Sequence, residues 1–310
     1  MFTVTGVQTY NKVILQTDIL KFNTMSKLVL APPLINEKVS DTTSPRTLTI
    51  IANKIEIADQ AEITYDLDGR PGLDPDTPAP PTNSVAAGGS NGASVSGEGA
   101  YPRAANGGDG KPGKTGAAGI DGRSAPTLEV FAGEVNSTKM KINFKGQDGG
   151  RGGQGGNGGT GGNGQKGAAS TASDSWYDGD ECTREPGRGG NGGRGGDAGY
   201  PGRGGRGGNG GIVKIFVPHA FLVTVNAWAV ITDGGKGGDA GKPGNKGNGG
   251  NGGLQGDQND PCPGRSEYAG TGGPAGQEMN DIDPNWTTDY KGDDGNDGEW
   301  TVDEINGVPM

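Results

Sequence analysis

The 310-residue sequence predicts a mostly β, otherwise irregular chain with almost no α-helix, whose short strands merge into a bundle of polyglycine-II or polyproline-II helices. Three observations predict this. Glycine recurs at every third position through four runs, and the segments between those runs alternate apolar and polar residues. Only 29% of the chain is hydrophobic and 5% aromatic, against 66 glycines. That little apolar matter cannot fill a conventional core of this length. Cohesion must come partly from glycine backbones that approach closely and hydrogen-bond.

Taken in order, residues 1–75 form an N-terminal β region that closes with "TLTIIANKIEIADQAEITYDLDGRPG" (Thr47 to Gly72). Its period-two apolar pattern is that of half-buried strands. "TLEVFAGEVNSTKMKINFKGQDGGRGG" (Thr127 to Gly153) and "IVKIFVPHAFLVTVNAWAVITDGGKGG" (Ile212 to Gly238) repeat the design. Each reads as two strands, then Asp-Gly, then glycine triplets. The unit is an internal repeat of about 85 to 90 residues, whose strands should gather in a small sheet or sandwich. Residues 76–256 carry the repeats, and residues 257–310 form an acidic, aromatic-containing loop and tail packed on the bundle.

The glycine frames run through residues 107–122, 146–167, 187–211 and 235–256. A helix with three residues per turn puts every third residue on one edge, so a strict period of three suits it. A flexible linker has no reason to hold the phase. Second glycines such as Gly189, Gly192 and Gly195 place the 187–211 run inside, whereas Lys111, Lys114 and Asp121 mark an outer segment. A straight run of 25 residues would span roughly 75 Å, which calls for a rod or a reversal. A collagen-like trimer and a disordered chain remain the competing readings.

The texture of "GGNGGTGGNGQKG" and "GGDAGKPGNKGNGGNGG" resembles polyglycine-II proteins: snow-flea antifreeze proteins, the tip adhesins of T-even phage tail fibres, and glycine-rich collagen-like bacterial proteins. The resemblance covers roughly residues 85–275, rests on periodicity, and implies fold more than function. From the phage adhesins it implies loops presented to a host surface.

Catalytic chemistry is thin. The one histidine, His219, sits in "VPHAF" between predicted strands and reads as a turn residue. No nucleophile elbow, P-loop or zinc-protease motif occurs, so no enzyme is expected. Arg188, Arg194, Arg203 and Arg206 each begin Arg-Gly-Gly, as in RNA-binding tails, but a net charge of −10 opposes phosphate binding. From Asp257 to Glu304 there are thirteen acids against Arg265 and Lys291. Asp293, Asp294, Asn296, Asp297 and Glu299 could supply oxygen ligands to calcium, as could Asp66 and Asp68, but the spacing matches no EF-hand loop and a merely solvated acidic tail is the preferred reading.

Cys182 and Cys262 each lie in an irregular insert beside a glycine run. A disulfide between them would imply an oxidising compartment, with two free thiols the alternative. No signal peptide is evident, and no stretch is apolar enough to span a bilayer. The scarce aromatics Trp176, Tyr177, Tyr268, Trp286, Tyr290 and Trp300 fall in the inserts or the acidic tail, and they read as binding loops or as a small cap. The expectation is therefore a non-catalytic, extracellular, cell-surface or virion-type adhesin-like protein. Its partner would be a cell-surface glycan or protein, or copies of itself in a fibre, sheath or coat. Ice binding and RNA binding rank behind.

Overall fold

The computed structural model describes residues 1–31, 47–66, 103–173, 179, 181–264 and 266–309. The chain begins with β1 (Phe2–Val4), β2 (Val7–Tyr10), β3 (Ile14–Phe22) and β4 (Lys27–Leu30). It continues with β5 (Thr47–Ile57), β6 (Ala61–Tyr65), β7 (Thr127–Val135) and β8 (Met140–Asn143). Two short strands, β9 (Thr171–Ser173) and β10 (Glu181–Arg184), lie apart from the rest. Then come β11 (Ile212–Val217), helix α1 (Leu222–Asn226) and β12 (Ala229–Ile231), followed by α2 (Met279–Ile282), α3 (Trp286–Asp289) and β13 (Glu299–Glu304).

Successive strands do not pair with each other. They alternate between two sheets: β1-β3-β5-β7-β11-β13 in a six-stranded sheet and β2-β4-β6-β8-β12 in a five-stranded one. Every pairing in both is parallel. Each strand pair is thus one level of a two-walled coil, and tight corners carry the chain between the walls. Gly6 (φ 60), Met25 (φ 54) and Gln60 (φ 40) take left-handed backbone at three of these corners.

The period-two pattern explains the register. Leu15, Ile50, Val130 and Ile215 stand level across four strands, as do Leu48, Leu128 and Val213. All of these residues are buried, and they face Leu28, Ile63, Met140, Ile142 and Phe144 in one core. A one-residue slip of any strand would turn its whole apolar set outward. Asn53 interrupts the alternation in β5, and its amide donates to Asp18 Oδ1 at 3.1 Å, where β3 shifts phase as well.

This architecture corrects the expected fold class. The body is two parallel multi-stranded sheets with few helices, not strands merging into a polyglycine-II or polyproline-II helix bundle; the low helix content does fit. The reason is that the strand repeats stack level upon level, so even a sparse supply of Ile, Leu, Val and Phe closes one continuous core.

The glycine runs are arms of this coil. One leaves β8 through residues 144–168 and returns through 187–211 to β11. A second leaves β12 through 232–256 and returns through 270–276 and 292–298 to β13, with α2 and α3 between those two pieces. Residues 103–126 lead into β7. Reversal occurs between the runs and not within them. Neighbouring arms exchange amide-to-carbonyl bonds: Gly107 to Asn191 O, Gly156 to Lys114 O, Gly193 to Gly162 O, Gly192 to Thr271 O and Gly250 to Gly193 O, at 2.7–2.9 Å. The 187–211 arm therefore touches every other described arm. A Cβ on Gly196 would fall inside the carbonyl oxygen of Lys111 and beside the amide of Gly159.

A second ladder explains the Asp-Gly and Asn-Gly dipeptides. The residue before a frame glycine turns its side-chain oxygen to the next arm's backbone. Asn106 accepts from Asn191 N, Asp109 from Arg194 N, Asp121 from Arg206 N, Asn157 from Asn245 N and Asn163 from Asn251 N, at 2.7–2.9 Å. Each frame glycine donates its own amide to the carbonyl of that same partner residue or of a parallel neighbour. Each of these five rungs thus carries two bonds, one of them accepted by a side chain.

Asp148 is such a rung. Its Oδ1 accepts from Lys236 N at 2.8 Å and from Lys145 Nζ at 3.2 Å. Partial burial alone would raise its pKa, but the Lys236 amide and the Lys145 ammonium outweigh that and hold it below 3.8. A depressed folded-state pKa contributes stability above the unfolded value that is lost as pH falls through the lower folded one. Thermal melts of Asp148→Asn and wild type should diverge at neutral pH and converge as pH falls through the depressed folded-state pKa of Asp148. Parallel curves down to strong acid would show that the carboxylate is uncoupled from folding.

Candidate binding surface

The arms converge on two features. At the far end, β9 and β10 form an antiparallel ribbon, and Cys182 on β10 is bonded to Cys262, whose Cα lies 4.8 Å from its own. The disulfide joins the turn between the first pair of arms to the turn after the 232–256 arm. Tyr268 belongs to this joint. It is buried, its hydroxyl donates to Glu185 Oε2 at 3.0 Å, and the Arg188 guanidinium lies 4.8 Å from its ring centre. The expectation that Tyr268 belongs to a binding loop is therefore corrected: its ring is enclosed by the fold.

The second feature lies midway along the arms. Triplet spacing breaks at "GQEMNDIDPNWTTDYKG", and the break folds into α2 and α3. Glu278 caps α2 in a reciprocal box with Asp281. Pro284, between the helices, cannot donate to continue α2. The insert brings Tyr290 against Tyr200 of the 187–211 arm, with ring centroids 6.3 Å apart and planes at 23°. Tyr200 remains 37% exposed. Trp286 is half-buried and donates Nε1–H to Asn280 Oδ1 at 2.8 Å, which fixes its ring edge.

Charged pairs lie along the same arms and insert. Asp293 lies 3.7 Å from both Arg203 and Arg206, Arg194 pairs with Asp197 at 2.8 Å, and Lys246 pairs with Glu278 at 3.3 Å. The Tyr290 hydroxyl is held above its ordinary pKa, first by desolvation and then by Tyr200, Asp283 and Asp289. The Tyr290 phenol therefore stays a neutral donor at physiological pH. Flat rings on arms whose cations are paired with anions suit a polyhydroxylated or peptide ligand better than a bare polyanion.

The other expected residues are scattered. Trp300 sits on β13 at the end of the six-stranded sheet, level with Val213 and away from the insert in the fold. Trp176 and Tyr177 lie outside the described residues, as does Asp68. The calcium set does not assemble. Asp294 accepts from Gly237 N at 2.7 Å and Asp297 from Gly234 N at 2.8 Å, while Asp293 faces the arginines. Asn296 donates its amide to Asn209 Oδ1 at 3.0 Å, and Glu299 opens β13. These oxygens are spread along an arm as rungs, and among the described residues no group of three or more His, Cys, Asp or Glu side chains could hold a metal ion. His219 lies in the turn before α1, exposed, with Nδ1 3.2 Å from Glu304 Oε2.

Sequence reasoning missed Tyr200 as a surface residue. The available signal was that it is the one aromatic residue in its glycine run. A groove of about 640 Å³ also opens at the corners of the coil, lined by Met25, Lys27, Glu62, Lys139 and Lys141. Glu62 is already shared there between Lys27 at 3.5 Å and Lys141 at 3.6 Å. Comparison with protein-family models, curated proteins and solved structures finds no match to this chain. Among the described residues no helix is long and apolar enough to cross a membrane.

Proposed function

We propose that this is a non-catalytic, adhesin-like binding protein that works outside the cell or on a virion. Its hydrogen-bonded arms present an aromatic insert to a cell-surface glycan or protein. The stacked Tyr200–Tyr290 pair, half exposed on a face whose backbone is bonded on several sides, carries the reading. Rigid support matters because a preformed aromatic platform loses little entropy on binding. The disulfide supports an oxidising location.

Binding of the full chain to a glycan array and to intact cells tests this. Tyr290→Ala and Trp286→Ala should each weaken binding about tenfold or more, as hot-spot truncations do, with little change in melting temperature. Undiminished binding by both variants would remove the insert from the interface. A structural subunit of a fibre or coat is the second reading, favoured by the open edges of the two sheets.

A further inference from the structure

We infer that copies of this chain stack head to tail through their sheet ends, the free edge of β13 docking on the half-covered edge of β3 in the next copy. The inference does not depend on the ligand-binding reading.

At the C-terminal end, Ile305 donates its amide to Val217 O at 3.1 Å. Alternation along a parallel ladder then turns the backbone groups of Thr301 and Asp303 toward β11 and those of Trp300, Val302 and Glu304 outward. At the opposite end, β1 pairs with β3 only at Leu20–Phe22. Among the described residues no strand covers Ile14–Thr17. Thr49 donates to Val13 O at 2.8 Å, so Val13 and Leu15 face β5 while Ile14 and Gln16 direct their backbone groups away, the Ile14 carbonyl accepting from the Tyr10 hydroxyl at 2.8 Å. Ile14 is 50% exposed there.

The two edges match in phase. Ile14, Thr49, Glu129, Lys214 and Thr301 occupy one column of the six-stranded sheet. Continuing that column sets Ile14 of a second copy opposite Thr301, and the buried Leu15 opposite Val302. Once the Tyr10 hydroxyl leaves the Ile14 carbonyl, about four backbone hydrogen bonds would form between Ile14 and Gln16 and the outward groups of β13. Lys12 falls opposite Glu299, an opposite-charge pair in register. β13 and the next copy's β1 then share one row, end to end.

The other sheet agrees. Among the described residues β13 has no companion strand, because the five-stranded sheet stops one level lower at β12, where α1 packs against β13. Val7, Lys27, Glu62, Lys141 and Ala229 form a column there, so β2 of the incoming copy would fill the level that β12 leaves open. Val7 is 74% exposed in the isolated chain. The contact uses two different surfaces and a common strand direction, which makes it heterologous and open-ended.

Light scattering behind size exclusion, with negative-stain microscopy, tests this on the full chain over a concentration series. Unbranched filaments that lengthen with concentration are expected. Val302→Pro and Gln16→Pro each remove an amide that points away from the chain's own sheet, so each should give monomers that melt within about 3 °C of wild type. Lys12→Glu and Glu299→Lys should each weaken association several-fold, and the double exchange should restore it. Monomers at every concentration, a closed two-fold dimer, or filaments that survive Val302→Pro would overturn the proposal.

Discussion

Gly196→Val should unfold the arms at temperatures where the wild-type arms remain intact. The added side chain would start inside the Lys111 carbonyl oxygen and against the Gly159 amide, both backbone atoms that cannot rotate away. Relief requires parting the 187–211 arm from two neighbours at once and breaking rungs such as Gly196 N to Gly159 O and Gly247 N to Gly196 O. Overpacking that displaces backbone falls at the severe end of single-residue effects, about 3–5 kcal/mol, or a fall of roughly 10 °C in melting temperature. Gly272→Ala supplies the contrast, since its Cβ would meet only Gly250 O, at an ordinary 3.6 Å. Calorimetry of the two variants checks this, and equal melting temperatures would mean that close backbone contact does not hold the arms.

Removing the Cys182–Cys262 bond is expected to have the second largest effect. The two residues are 80 positions apart, and closing a loop of that size constrains the unfolded chain by about 4 kcal/mol in the entropic account. Cys182→Ser, or reduction of the wild type, should lower the melting temperature by roughly 10 °C. Amide exchange should rise first near β9, β10 and residues 257–268, where the bond is the covalent tie between turns of different arms. The inner rungs, such as Gly153 N to Ala117 O, should stay protected. Uniform loss of protection along the arms would mean that the tip nucleates the whole assembly.

Much of this was legible in the residues. Alternation in "TLTIIANKIEI" marks β5 with every second side chain inside until Asn53, because a strand turns successive side chains to opposite faces. The paired cysteines in equivalent inserts pointed to a joint that the structure closes. The acidic run around Asp293 misled, because spacing alone cannot show whether a carboxylate meets a cation or a backbone amide of a distant arm. Tyr268 misled for the same reason: an aromatic side chain in a polar loop is a surface residue only if nothing folds over it.

Local sequence by itself determined which segments are extended, where glycine is obligatory and where the triplets stop for α2 and α3. Those properties follow from backbone sterics and side-chain period, which act over a few residues. Only the tertiary structure decided that the strands stack in parallel as two walls, that the glycine runs are arms of that body, and that Tyr200 meets Tyr290. Such pairings join residues about 20 to 90 positions apart in the chain, where register is selected by the summed burial of whole apolar columns and no short segment records its partner.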